Sequence, residues 1–303
     1  MNRRSFIAGS VAAATGLTSV FPASKASDSE SQGKPFKLKY APDINQFRHH
    51  AGDNPVNRIK FMHDQGFRAI FDNGLMGKSA SDQERIANAL QERNMDLGPF
   101  VVYADFGTES FVLSNADVRR DLRNRVRNAI ETAKRTNAKW GLMVPGRYNQ
   151  RMGWGYQTAN VVENLRYIAE ECEESGFVIV LEPLNKRGHP GLFLTTIGQT
   201  YQICRAVNHP SVKIVNDIYH QQITEGNLIP NIDMAWSEIA SFHLGDNPGR
   251  NEPGTGEINF RNIFKHIYNK GYDGVLCMEH GTSMGGREGE AALIQAYREA
   301  DSF

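Results

Sequence analysis

The sequence predicts an α/β protein folded as a single (β/α)8 TIM barrel, and three observations predict it. From Lys37 onward, eight short β-branched or apolar runs alternate with eight stretches of helical period. Parallel strands separated by helices of that length need crossover connections, and eight such units close naturally into a barrel. The first strand leads into Ala41-Pro42-Asp43-Ile44-Asn45, which holds no glycine-rich phosphate loop and so argues against an open doubly wound sheet.

In chain order, a strand is predicted at 38–42 and a helix at 56–65, closed by Gly66 where a left-handed cap favours glycine. A strand at 69–71 precedes a helix at 81–93, for which Ser81 stands in the capping position. The strand at 98–103 leads to a long helix at 116–136 with Asn115 as its cap. Next come a strand at 140–144 and a helix at 158–175 ending at Gly176. The second half repeats the rhythm: strands at 178–182, 213–217, 241–245 and 274–279, with helices at 197–207, 232–238, 260–270 and 288–300. Gly271 closes the helix at 260–270, and Trp140, Met143 and Phe100 are expected to fill the barrel.

Composition narrows the function classes. Among 303 residues, 34 Lys plus Arg balance 34 Asp plus Glu, so the basic excess of a phosphate-backbone binder is missing and no nucleic-acid partner is expected. Three widely spaced cysteines, Cys172, Cys204 and Cys277, make neither a disulfide framework nor a cysteine-rich zinc site. The chain opens with Arg3-Arg4-Ser5-Phe6-Ile7, which resembles a twin-arginine export signal, followed by a mildly apolar stretch to Phe21. Small residues at Ser24 and Ala26 suit cleavage before Ser27. The expected organisation is a signal peptide over 1–26, a linker over 27–36 and a catalytic barrel over 37–303. Export by this route would place the folded protein in the periplasm, free of the membrane after cleavage and already loaded with any metal.

In a barrel of this kind, chemistry collects at the C-terminal ends of the strands. Four consecutive ends carry groups that are costly to bury: Glu182, Asp217, His243 and Glu279, each about one βα unit from the next. Three carboxylates facing one imidazole cannot neutralise one another, and a divalent cation resolves the conflict. Oxygen-rich ligation with one imidazole favours Mn²⁺ or Mg²⁺, with Co²⁺ or Zn²⁺ as further fits, and leaves positions open for substrate oxygens. His220 lies in the loop leaving the sixth strand. A long polar loop from Gly245 to Asn259 follows the seventh and carries Arg250, suited to an anionic or polyhydroxyl substrate. Trp154 and Tyr156 offer either a wall over a sugar ring or a contact between copies in a homo-oligomer. His49-His50 is read as solvated.

Over Glu163-Asn164-Leu165-Arg166-Tyr167, Leu181-Glu182-Pro183-Leu184-Asn185, Asp217-Ile218-Tyr219-His220 and Arg250 through Asn259, the chain resembles the xylose isomerase-like TIM-barrel family, and within it the hydroxypyruvate isomerase branch. The resemblance implies a divalent metal on Glu182, Asp217, His243 and Glu279. It implies that Glu182 and Glu279 also act as acid and base through an enediolate, with His220 and Arg250 holding the substrate. The chain departs from the branch in four places. It carries His243 where the branch has glutamine, which is similar to ketose 3-epimerases. It reads Glu279-His280-Gly281-Thr282 in place of a glutamate followed by Tyr-Lys-Pro, has Asp72-Asn73 where a glutamate is usual, and lacks the usual acid before Pro190. The expected function is aldose–ketose isomerisation of hydroxypyruvate type, yielding 2-hydroxy-3-oxopropanoate. The alternative is an exported epimerase or lyase acting on keto-sugars or 3-keto-glycosides by the same proton abstraction. A sugar-binding protein on a retired barrel and a metal-dependent endonuclease complete the set.

Overall fold

The computed structural model describes residues 33–303. The predicted leader, its cleavage site and most of the linker lie outside the described residues. Nine parallel segments form the wall: β1 (Lys39–Pro42), β2 (Ala69–Ile70), β3 (Asp96–Leu97), β4 (Phe100–Ala104), β5 (Trp140–Val144), β6 (Val178–Leu181), β7 (Val212–Asp217), β8 (Ile239–His243) and β9 (Val275–Met278). Seven run side by side in the order β1-β9-β8-β7-β6-β5-β4, and β2 pairs with β3. The ring is completed by backbone bonds on both sides of β2. Ile44 N–H donates to Phe71 O (2.9 Å) and Phe71 N–H to Pro42 O (3.0 Å), while Val101 N–H reaches Asn73 O (3.2 Å).

The third strand, predicted at 98–103, is observed as β4 beginning at Phe100, and a separate short strand, β3, precedes it across Gly98-Pro99. Proline has no N–H to give the ladder, and Gly98 lies where the wall is pinched. A Cβ there would sit 2.7 Å from Cys277 Sγ and 2.9 Å from Phe71 Cβ. Strands five to eight of the prediction are consequently β6 to β9.

Alternation along each strand sends residues to opposite faces. Leu142, Val144, Val180 and Val215 pack together inside the barrel with Trp140 against them. Phe100 and Met143 belong instead to the larger layer between strands and helices, where Ile59, Leu165 and Phe264 also pack. Of the three residues expected to fill the barrel, only Trp140 does so.

Helix ends follow local chemistry. Asn115 accepts from the N–H groups of Asp117 and Val118, as expected of a cap. The helix Ala80–Gln91 is capped by Ser79, which accepts from Asp82 N–H; Ser81 lies within its first turn. Gly66, Gly176 and Gly271 adopt φ of 93°, 66° and 73°. The helix predicted at 158–175 begins at Trp154 and ends at Ala169, followed by a 3₁₀ turn. A further short helix, Ile218–Thr224, follows β7 directly, so His220 sits on a helix rather than in a loop. No helix among the described residues is long and apolar enough to cross a membrane.

Candidate functional site

Parallel register sets the heights of the site residues. Asp217 on β7 pairs with His243 on β8, and His243 with Cys277 on β9, so Glu279 stands two residues further along the chain. Glu182 follows β6 directly. One ligand atom from each of Glu182, Asp217, His243 and Glu279 lies within 4.8 Å of the others. Glu182, Asp217 and His243 are buried and Glu279 partly so.

His243 is the hub. Its Nδ1 is 3.1 Å from Glu182 Oε1 and 3.1 Å from Glu279 Oε2. Glu279 also accepts from Asn73 Nδ2 at 2.7 Å and from Arg250 Nη2 at 2.6 Å. The same Arg250 nitrogen is 3.1 Å from Asp217 Oδ2, and Arg250 Nε donates to Glu279 O at 3.1 Å.

At these separations each like-charged pair costs about 3 kcal/mol at an effective dielectric near 20, which dictates how the groups titrate. Burial and then the Glu279 charge push the Glu182 carboxyl up to about 7. Burial also works against an ionised Glu279, yet His243 and Arg250 override it and hold that carboxyl far below the usual range. Burial would lower His243, but Glu279 and Glu182 raise it well above an ordinary imidazole. The charges fit a divalent cation. Three carboxylates carry three negative charges, Arg250 supplies one positive charge, and with His243 neutral as a ligand a 2+ ion supplies the other two. The donor set, three oxygen ligands and one imidazole, suits such an ion.

His220 is placed by groups that fix its proton. Asp217 accepts from His220 N–H at 3.1 Å and so caps the helix. The backbone N–H of Asn185 points at His220 Nδ1 from 3.2 Å, and Asn185 Nδ2 lies 2.6 Å from the same atom. A backbone amide can only donate, so Nδ1 is the acceptor and Nε2 carries the hydrogen. Burial lowers the His220 pKa, in keeping with this neutral form. Nε2 lies 3.5 Å from Asp217 Oδ2, at the edge of the cluster.

Arg250 adopts φ of 52°, a left-handed conformation uncommon for arginine. It is held there by a loop wound around one buried carboxylate. Asp246 accepts four backbone N–H groups, from Asn247 (2.9 Å), Gly254 (2.8 Å), Gly256 (2.9 Å) and Ile258 (3.0 Å). Glu252 ties the loop to the next one by accepting from Ser283 N–H at 2.9 Å. Asp246→Ala strands four donors at a fully buried position and is expected to cost about 3 kcal/mol. Thermal unfolding should show a fall of about 8 °C; an unchanged melting temperature would mean the loop does not depend on this carboxylate.

The structure thus brings together all six residues singled out for metal and substrate. It also adds Asn73, Asn185 and Asp246, which sequence reasoning did not assign to the site. Asn73 was legible only as a departure from a family pattern, Asn185 stood in a matching stretch without a role, and Asp246 acts through backbone amides, which leave no side-chain motif. His50 is not solvated: its Nδ1 lies 2.6 Å from Glu290 Oε2, and Glu290 also accepts the N–H groups of His49 and His50. Trp154 is half-exposed and stacks on Phe193, with ring centroids 4.9 Å apart, while Tyr156 projects outward.

Comparisons with known proteins agree with this architecture. Over 122 residues the chain is 38% identical to a hydroxypyruvate isomerase of Escherichia coli (strain K12), covering 40% of this chain and 47% of the relative. Over 131 residues it is 33% identical to a 2-oxo-tetronate isomerase of Cupriavidus necator, covering 42% and 50%. The matched stretch therefore spans about half the length of these curated relatives. Among solved structures, a 3-keto-D-glucoside 4-epimerase of E. coli superposes with a TM-score of 0.70 at 17% identity, over 88% of this chain and 100% of that one, a likeness of fold. The model of the xylose isomerase-like TIM barrel matches residues 59–299, which takes in every strand from β2 to β9, and the chain belongs to that family.

Proposed function

We propose that this protein is a metal-assisted isomerase that interconverts an α-hydroxy aldehyde and ketone through an enediolate, of the hydroxypyruvate type. The observation that carries the reading is the approach of Glu182 and Glu279 to His243 Nδ1, each at 3.1 Å, from strands β6 and β9 that do not neighbour one another. The kinship with hydroxypyruvate and 2-oxo-tetronate isomerases supports the reaction class.

Two carboxylates on different sides of one site suit a proton transfer between adjacent carbons. One takes the proton from the hydroxyl-bearing carbon beside the substrate carbonyl; the C–H electron pair becomes the C=C bond and the carbonyl π pair moves onto its oxygen, giving the enediolate. The other gives a proton to the former carbonyl carbon while the hydroxyl proton passes to the former carbonyl oxygen, so no oxidant or reductant is consumed. His220 offers its Nε2–H to a substrate oxygen. Arg250 keeps positive charge beside the reacting atoms, where charge develops on oxygen. Glu182, Asp217, His243 and Glu279 would hold the divalent cation, which when bound supplies Lewis-acid stabilisation of oxygen charge. The Arg3-Arg4-Ser5-Phe6-Ile7 leader supports export of the folded protein and work in the periplasm.

Incubation with Mn²⁺ and hydroxypyruvate in D₂O tests the reading by NMR. Deuterium should enter beside the carbonyl, and a chelator should abolish the uptake. Uptake that persists undiminished in the chelated protein would refute metal assistance; no uptake with the cation bound would refute the reaction.

A further inference from the structure

Glu279 and Arg250 are joined through their backbones as well as their side chains, and that second link has an anchor outside the cluster. Gly281 N–H donates to Arg250 O at 2.9 Å, and Arg250 Nε returns to Glu279 O at 3.1 Å. The His280 carbonyl shares its peptide with the Gly281 N–H and accepts from Gln46 Nε2 at 3.2 Å. Both polar ends of this peptide are thus tied, one to the loop after β1 and one to the loop after β8. The His280 ring lies against the last helix, Gly286–Ala300, where it stacks on Tyr297 with centroids 5.8 Å apart and 9° between the planes.

The hydrogen bonds of that ring have one consistent assignment. Nδ1 lies 2.6 Å from Gly281 O, and a carbonyl can only accept, so Nδ1 carries the hydrogen. Burial favours the neutral imidazole, which leaves Nε2 as an acceptor 2.8 Å from Tyr297 Oη. The Tyr297 O–H therefore donates. Tyr297 is fully buried, with the rings of Tyr40 and Phe264 at 5.0 Å and 6.2 Å. A phenylalanine would fill the same space without a hydroxyl to satisfy, so the hydroxyl is explained by His280 and not by packing.

The surroundings leave the peptide little slack. Gly245 passes between the two strips of chain, and a Cβ there would lie 3.1 Å from Arg250 Cγ and 3.4 Å from His280 Cβ. A shift of His280 is therefore felt at Arg250, whose Nη2 spans Glu279 Oε2 at 2.6 Å and Asp217 Oδ2 at 3.1 Å. Misplacing a reacting group by about 1 Å costs up to about 100-fold in rate.

Resting on the isomerase reading of the same site, we propose that Tyr297 is a positioning residue. Through His280 it fixes the peptide that holds Glu279 and Arg250 in register, and it touches neither the substrate nor the cation.

The test has two arms on the full-length, Mg²⁺-supplemented protein. In the first, amide hydrogen exchange followed by NMR reads the Gly281 N–H. Its protection should fall about tenfold in Tyr297→Phe, while Gly254, Gly256 and Ile258, whose amides Asp246 holds, keep theirs. In the second, kcat for hydroxypyruvate should fall about tenfold, with KM within about twofold of wild type. His280→Asn keeps a donor near the Nδ1 position but loses the acceptor, and should reproduce both effects. His280→Gln sets an amide oxygen near the Nε2 position and should recover most of the wild-type behaviour. Unchanged Gly281 protection in Tyr297→Phe and His280→Asn overturns the proposal. So does a loss shared equally by the Asp246 loop, or a local loss that leaves the kcat of an active enzyme unchanged. A local loss at Gly281 with no deuterium uptake even in the wild type would sink the isomerase reading and leave the positioning of the peptide standing.

Discussion

Glu279→Gln and Glu182→Gln are each expected to lower metal-dependent deuterium uptake about 10³-fold, and the loss should persist at saturating cation. The second clause separates proton transfer from ligation, because both residues are candidate ligands as well. Asp217 supplies the control. It touches the cluster through Arg250 Nη2 at 3.1 Å and His220 N–H at 3.1 Å, and the mechanism gives it no proton to move. Asp217→Asn should therefore weaken cation binding, with much of the exchange rate returning as Mn²⁺ is raised. Glutamine at 279 keeps an oxygen for Asn73 Nδ2, so the fold around β9 is retained and the comparison is fair. Equilibrium dialysis reports cation occupancy for each variant. Glu279→Gln or Glu182→Gln working at near wild-type rate once loaded would remove that carboxylate from the proton path.

The contrast between these residues shows what a sequence can carry. Glu182, Asp217, His243 and Glu279 were legible because strand periodicity placed each at the mouth end of an apolar strand, where a charge has no bland reason to be. The eightfold rhythm carried the barrel for the same reason: alternation and helical period are properties of the chain itself. The break at Gly98-Pro99 was written in the sequence too, yet its meaning depends on Cys277 Sγ across the barrel, some 180 residues away. Long-range contact of that sort decided most of the differences. Phe100 and Met143 face the helices because the register is fixed by neighbouring strands, and a one-residue step exchanges the two faces.

Positioning groups were harder to read than ligands. Asp246 could not be told from any other acid in a polar loop, because its four partners are backbone amides spread over 247–258. Asn185 resembles a turn residue, and it is one, since its Oδ1 accepts Gly188 N–H at 2.8 Å. Its hold on His220 emerges only when the loop after β6 is folded against the helix after β7.

Cation binding is expected to strengthen at least 100-fold between pH 6 and pH 8. Without a cation, the cluster relieves its own repulsion by keeping protons. Burial and Glu279 hold Glu182 near 7, and the two glutamates lift His243 well above the ordinary imidazole value. A cation binds the deprotonated forms, so its arrival must displace at least one proton across this range. Each proton released multiplies the affinity tenfold per pH unit. The sign for stability is opposite. Both groups have folded pKa values above their unfolded ones. Their contribution to the metal-free fold is therefore complete below the unfolded values, near 4.5 for Glu182 and 6.5 for His243. It is lost as pH rises through the folded ones. The melting temperature of chelated protein should decline from pH 5 toward pH 8, while added Mg²⁺ restores more of it at each step. Calorimetry in buffers of different protonation enthalpy counts the protons directly. A cation affinity flat from pH 6 to 8, with no proton released, would mean that His243 and Glu182 are not displaced, and that the ion sits elsewhere in the barrel mouth.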